Sequence, residues 1–144
     1  MIDKAHFRKL ENMYHSSRCN EYYNPKLVVE SGSATLEIPV REDFFHAAGA
    51  VHGSVYFKAL DDAAYFSVNS LVENVFVLTT SFNILLTRPV SSGIMFAIGK
   101  VLEKTPNRFT AESILYDSSN KVIARGKGNF VKSAVELSPN IGYK

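Results

Sequence analysis

Disulfide scaffolds are excluded at the outset, because the 144-residue chain holds one cysteine, Cys19, and a lone thiol has no partner within the chain. No base lies beside it in sequence, so Cys19 reads as a surface or packed thiol rather than a nucleophile. There is also no run of Lys or Arg, and the net charge is only +2, which leaves no electrostatic footprint for nucleic acid. The opening residues, MIDKAHFRKLENM, lack the long apolar core of a signal peptide, and a cytoplasmic protein is expected. Internal repeats and low-complexity tracts are missing as well. The histidines and acids show no conventional ligand spacing, so neither a metal nor another cofactor is expected.

What remains is enough to build a core. Hydrophobic residues make up 46% of the chain, which at this length fits one domain over residues 1–144. The most unusual stretch is His46-Ala-Ala-Gly49-Ala-Val-His52-Gly53-Ser54 followed by VYFKALDDAAYFSVNSL, residues 55–71. From Val51 to Val72 the only charges are Lys58, Asp61 and Asp62, and no proline interrupts the segment. A helix buried on nearly every side suits that composition. Two adjacent carboxylates and a lysine at its centre argue against a membrane span.

On either side of this helix the pattern changes period. Residues 3–15 place Ala5, Phe7, Leu10 and Tyr14 at helical spacing behind Asp3 as N-cap, while His6 and His15, among polar neighbours, read as exposed and unpartnered. Lys26–Glu30 and Ser33–Val40 form a hairpin, the second strand alternating Ala34, Leu36, Ile38 and Val40 with polar residues. After the helix come four strand-like runs: Phe76–Thr87, stopped by Pro89, then Ile94–Leu102, Phe109–Tyr116 and Val122–Lys132. Their short connections predict a meander of antiparallel neighbours, and the tail Leu137–Lys144 is expected to be loose. The fold class is therefore α+β, a curved antiparallel sheet wrapped around one long helix.

A carboxylate in the middle of a buried helix calls for a chemical explanation. Burial raises the proton affinity of Asp61, which suits a base or a nucleophile, although an i, i+3 pair with Lys58 is the structural alternative. Asp62 reads as the i, i+4 partner of Lys58. If the helix begins near His52, the Gly53 N–H is one of its unsatisfied first-turn donors, placed where the helix dipole favours negative charge. The same dipole favours a neutral His52, which orients the loop by hydrogen bonds or serves as a structural cap. Nine residues separate His52 from Asp61 by ~13 Å along the axis on opposite faces, so one helix cannot aim both at one substrate. If both serve one reaction, the second group must come from another subunit, with two central helices antiparallel.

The element order and the string His46-x-x-Gly49-x-x-His52-Gly53-Ser54-x6-Asp61 resemble the hotdog-fold acyl-CoA thioesterases of the phenylacetate-pathway (PaaI-like) type. That family commonly reads Asn-x-x-Gly-x-x-His-Gly-Gly with an acid nine positions after the histidine. Gly49, His52, Gly53 and Asp61 match, whereas His46 stands for the Asn and Ser54 for the second Gly. Asn83-x4-Arg88-Pro89 resembles the end of the family's third strand and places Thr79 where a hydroxyl assists the water, though a threonine next to Thr80 and Ser81 also serves simply to form sheet. The resemblance implies a homodimer, in some cases a dimer of dimers, with two sites at the interface and an acyl-CoA as substrate. Asp61, Gly53, His52, His46 and Thr79 would act in catalysis, and Ser54, Gly49, Asn83 and Arg88 would contact substrate. Coenzyme A phosphates would meet some of Arg88, Lys100, Arg108, Arg125 and Lys127, and Tyr56, Phe57, Tyr65 and Phe66 suggest space for an aromatic or medium-length acyl group. The departures at His46 and Ser54 keep a non-catalytic acyl-CoA-binding dimer open. An enoyl-thioester hydratase is a weaker alternative, because it would pair an Asp and a His within one short motif.

Overall fold

The computed structural model describes residues 2–144. Helix α1 (Lys4–Ser16) starts at Asp3, whose side chain accepts from the Ala5 N–H, and a single turn α2 (Arg18–Glu21) follows. Strands β1 (Lys26–Glu30) and β2 (Ser33–Pro39) form the hairpin, and helix α3 (Gly53–Asn69) comes next. Strands β3 (Val75–Leu86), β4 (Ile94–Lys104), β5 (Phe109–Tyr116) and β6 (Val122–Glu136) complete one six-stranded antiparallel sheet.

The sheet order is β1-β2-β4-β5-β6-β3, which corrects the expected meander. Strands β4, β5 and β6 are successive neighbours, but β3 pairs with β6 at the far edge. Three strand spacings, ~14 Å, separate β3 from β4. The seven-residue link 87–93 can span over 20 Å when extended, so no helical crossover is needed. Val90 of that link accepts from the Val51 N–H and Tyr56 donates to the Arg88 carbonyl, tying the crossing to α3.

The sheet wraps α3, whose Val55, Ala59, Leu60, Ala63, Ala64 and Val68 are all buried. Small residues permit the closest approach: a Cβ on Gly99 of β4 would lie 2.1 Å from the Ala63 carbonyl oxygen. Buried Asn69 ends the helix by donating to the Val72 and Val75 carbonyls and accepting from the Val77 N–H, which launches β3.

Helix α1 lies along β1 and uses polar side chains to occupy its outer backbone groups. Arg8 donates to the Val29 carbonyl, Glu11 accepts from the Val29 N–H and His15 accepts from the Leu27 N–H. Two expectations are corrected here. His6 is buried, its Nε2 donating to the Asn69 carbonyl at 2.8 Å and its Nδ1 2.7 Å from the Tyr143 hydroxyl, and His15 is partnered as well. The polar neighbours of His6 in sequence lie on the other face of α1, while His6 shares the buried stripe with Leu10 and Met13. The C-terminal tail is also not loose, because Tyr143 packs on His6 and Asn12 donates to the Lys144 carbonyl.

Candidate active site

Helix α3 begins where the sequence places it. His52 is its N-cap, and its Nδ1 accepts from the Ser54 N–H at 3.0 Å and lies 2.8 Å from Ser54 Oγ. An Nδ1 that accepts from a backbone N–H leaves Nε2 as the ring's N–H donor. The Gly53 N–H has no acceptor among the described residues. Leu86 of β3 covers this glycine so closely that a Cβ would meet its Cδ1 at 3.1 Å.

His46 stands in a tight turn before the helix. Its Nδ1 accepts from the Ala48 N–H at 3.1 Å, its carbonyl accepts from Gly49 N–H, and Gly49 takes φ +83°, a conformation that favours glycine. An Asn oxygen fills the same i to i+2 acceptor role in an Asx turn, so the loop keeps its shape with histidine in that position. His46, His52, Gly53, Tyr56 and Arg88 line one open hollow with Leu86–Pro89.

Asp61 opens onto a different space. Two turns along α3 it lines a cavity of about 230 Å³ between α1, α2, α3 and β3, with Thr79 of β3 donating to its Oδ1 at 2.9 Å. Burial is the main cause that raises its carboxyl from 3.8 to about 6, and the neighbouring Asp62 charge adds to it, while the Thr79 hydroxyl and Lys58 pull the other way. Lys58 pairs with Asp62 rather than Asp61, at 2.9 Å. Asp62 also accepts from the Tyr14 hydroxyl at 2.6 Å, yet burial still moves its carboxyl up. A largely desolvated carboxylate with one oxygen bound and one open can take a proton from water near neutral pH.

The two spaces share no lining residue, so one protomer holds the carboxylate and the helix N-terminus apart. Thr79 joins Asp61, Gly49 belongs to the loop from His46 to His52, and Ser54 is the second residue of α3, against His52. Asn83 lines a separate hollow with Lys127 and Asn129 between β3 and β6. Tyr65 and Phe66 face the Asp61 cavity, Tyr56 faces the other hollow, and Phe57 is exposed. Sequence reasoning missed Tyr14, Asn20, Cys19 and Phe76 in the cavity wall, which come from elements distant in the chain.

A curved antiparallel sheet wrapped around one long helix is the hotdog arrangement. The Thioesterase superfamily pattern matches residues 48–124, more than half of the chain, and the chain belongs to that superfamily, a class of thioester hydrolases. It is 30% identical over 105 residues to a Saccharolobus solfataricus protein named "Putative esterase SSO2140", a stretch covering 71% of this chain and 73% of that protein. In three dimensions it is similar to the E. coli PaaI protein from the phenylacetic acid degradation operon, with TM-score 0.86 and 15% identity over 96% of this chain and 100% of the other. A thioesterase from Haemophilus influenzae gives TM-score 0.78 at 16% identity, covering 85% and 87% of the two chains. At these identities the structural likeness establishes the fold. No helix among the described residues is long and apolar enough to cross a membrane.

Proposed function

We propose that the chain hydrolyses acyl-CoA thioesters to a free acid and coenzyme A, at sites built from Asp61 of one copy and Gly53 of a second. The observation that carries this is the Asp61 carboxylate itself, half-buried, oriented by Thr79 and raised to about 6, with one oxygen unengaged. The thioester carbonyl oxygen would accept from the partner's Gly53 N–H at the positive end of α3. Asp61 takes a proton from water as the water attacks the carbonyl, and returns it to the departing thiolate. His52 and His46 hold the Gly53 loop by their Nδ1 contacts, and Arg88 on the wall of that hollow is placed to meet the coenzyme A phosphates.

The arrangement of exposed apolar groups supports the second copy. Strand β3 is an open sheet edge carrying Leu78, Leu85 and Leu86 exposed. An antiparallel pair of α3 helices that sets Asp61 against Gly53 has its midpoint at Phe57, and an antiparallel pair of β3 strands that sets Thr79 against Leu86 has its midpoint between Phe82 and Asn83. Phe57 and Phe82 are in ring contact at 5.5 Å, so one two-fold axis beside this pair satisfies both conditions.

The test is free-thiol release from short, medium, long and aryl acyl-CoAs, with Asp61→Asn as control. Turnover that falls at least about a hundredfold in the variant supports the proposal. Ligand-induced stabilisation without thiol release from any substrate would replace it with a binding role. A single turnover in oxygen-labelled water tests for a nucleophile: label appearing in Asp61 requires an anhydride opened at the Asp61 carboxyl carbon, whereas direct attack of water on the thioester leaves Asp61 unlabelled.

A further inference from the structure

Lys58 stands within reach of two carboxylates and serves one of them. On a helix its ammonium can meet Asp61 at i+3 or Asp62 at i+4. The structure sets Nζ 2.9 Å from Asp62, both side chains being largely buried at 20% and 13% exposure, and gives Asp61 no ion pair among the described residues. A pair with Asp61 would engage the carboxylate that the proposed hydrolysis needs open. Whatever steers Lys58 therefore decides whether the candidate base is free.

The steering groups come from the N-terminal helices. Asn20 of α2 accepts from Nζ at 2.5 Å and is itself tied to α1, its amide donating to the Tyr14 carbonyl at 2.7 Å. The Tyr14 hydroxyl donates to Asp62 at 2.6 Å, and the Tyr14 and Tyr23 rings stand 5.5 and 5.4 Å from Nζ, where an ammonium is favoured. Asp61 is engaged from a different element, by Thr79 of β3 at 2.9 Å. Besides these groups the cavity wall carries the Cys19 thiol of α2 and the Tyr65 phenol of α3, and no further cation or carboxylate among the described residues.

We propose that Asp62 is a positioning residue: with Tyr14 and Asn20 it keeps the Lys58 ammonium off Asp61, and so leaves the candidate base an unengaged oxygen. This rests on Asp61 being the base of the hydrolase. Without the Asp62 charge, Lys58 holds a largely buried ammonium with one carboxylate left in reach. An unpaired charge there is costlier than turning a flexible side chain, so Lys58 moves onto Asp61. The paired carboxylate is a weaker base, and its open oxygen is occupied.

The experiment compares wild type, Asp62→Asn and the double variant Asp62→Asn/Lys58→Met. Asparagine keeps an oxygen for Tyr14, and the double variant removes both charges, which leaves no buried unpaired ion. In thiol release at pH 8, Asp62→Asn should lose at least about tenfold in kcat/KM, and adding Lys58→Met should restore it to within about threefold of wild type. A purely structural Asp62 gives the opposite order, because the double variant has lost more contacts. Independently of turnover, carbon-13 NMR of labelled aspartate carboxyls follows Asp61 itself, its signal identified by its absence in Asp61→Asn. The midpoint should fall from about 6 to the ordinary 3.8 or below in Asp62→Asn, and rise again in the double variant. A crystal structure of Asp62→Asn should place Nζ within about 4 Å of an Asp61 oxygen. An Asp61 midpoint that stays near 6 in Asp62→Asn, or a loss that Lys58→Met does not relieve, overturns the proposal. Failure of Asp62→Asn to fold also overturns it, since Lys58 would then have found no partner in Asp61. A midpoint that falls and recovers as described, in a protein that releases no thiol, upholds the steering of Lys58 and refutes the hydrolase. Thiol release that needs Asp61 but is indifferent to Asp62 does the reverse.

Discussion

Replacing Asp61 with Asn should destroy activity and at the same time stabilise the fold, by an amount that depends on pH. The Asp61 carboxyl stands at about 6 in the folded chain against 3.8 as the ordinary value. Each pH unit of such a displacement corresponds to about 1.4 kcal/mol, so the ionised group costs the folded state about 3 kcal/mol. Above pH 6 both folded and unfolded chains carry the charge, and the whole cost is present. As the pH falls through 6, the folded chain takes up a proton while the unfolded chain stays ionised, and the cost shrinks until it vanishes below the ordinary value. Asn has no charge to bury and keeps an oxygen for Thr79. Asp61→Asn should therefore be more stable than wild type by about 3 kcal/mol at pH 8, corresponding to about 10 °C in melting temperature for a chain of this length, and by roughly half that at pH 5. Thermal and urea unfolding at pH 8, 6.5 and 5 measure this directly. A variant no more stable than wild type at pH 8, or a gain that does not shrink on acidification, would refute the assignment of Asp61 as a desolvated carboxylate.

Other consequences can be checked separately. The kcat/KM of wild type should climb with pH and level off with a midpoint near 6, and Thr79→Val should move that midpoint upward, since the hydroxyl holds the Asp61 carboxyl down. A downward shift would contradict the contact. Phe57→Lys should leave a folded monomer by light scattering and lower thiol release at least about a hundredfold; an active monomer would eliminate the shared site. Lys58→Met leaves Asp62 unpaired in its buried position and should cost about 3–5 kcal/mol in urea unfolding at pH 8. Gly99→Ala drives a methyl into the α3 backbone and should cost at least about 3 kcal/mol or prevent soluble expression, and wild-type stability in that variant would contradict the close helix-to-sheet contact.

Local chemistry made much of this molecule legible in its sequence. Strands Lys26–Glu30 and Phe109–Tyr116 have the boundaries their alternation and flanking turns predict, and Asp3 caps α1 as its side chain suggests. The separation of Gly53 from Asp61 also followed from helical geometry alone, and the structure places them in different hollows. Long-range pairing was not legible. Short links suggest neighbouring strands, but a sheet curved around a helix lets a seven-residue link cross three strand positions. Nor could the sequence show that Tyr14 would reach Asp62 across 48 positions, or that His6 would meet Tyr143, since no periodicity connects the helix α1 to the cavity or to the tail. The buried stripe of His6, Leu10 and Met13 was the available signal for His6, and its polar flanks concealed it.

The two edges of the sheet are treated differently, and this limits how far copies of the chain can add to one another. Arg8, Glu11 and His15 engage the outward Val29 carbonyl, Val29 N–H and Leu27 N–H of β1, so an incoming strand finds those positions already taken. Strand β3 alone stays available. When two copies meet through it, each uses up the other's only free edge, and nothing remains for a third. A filament needs two unlike surfaces that can repeat without end, whereas a sheet sealed on one side and self-complementary on the other closes after a single union. The helix that walls the Asp61 cavity thus also guards β1 against strand addition.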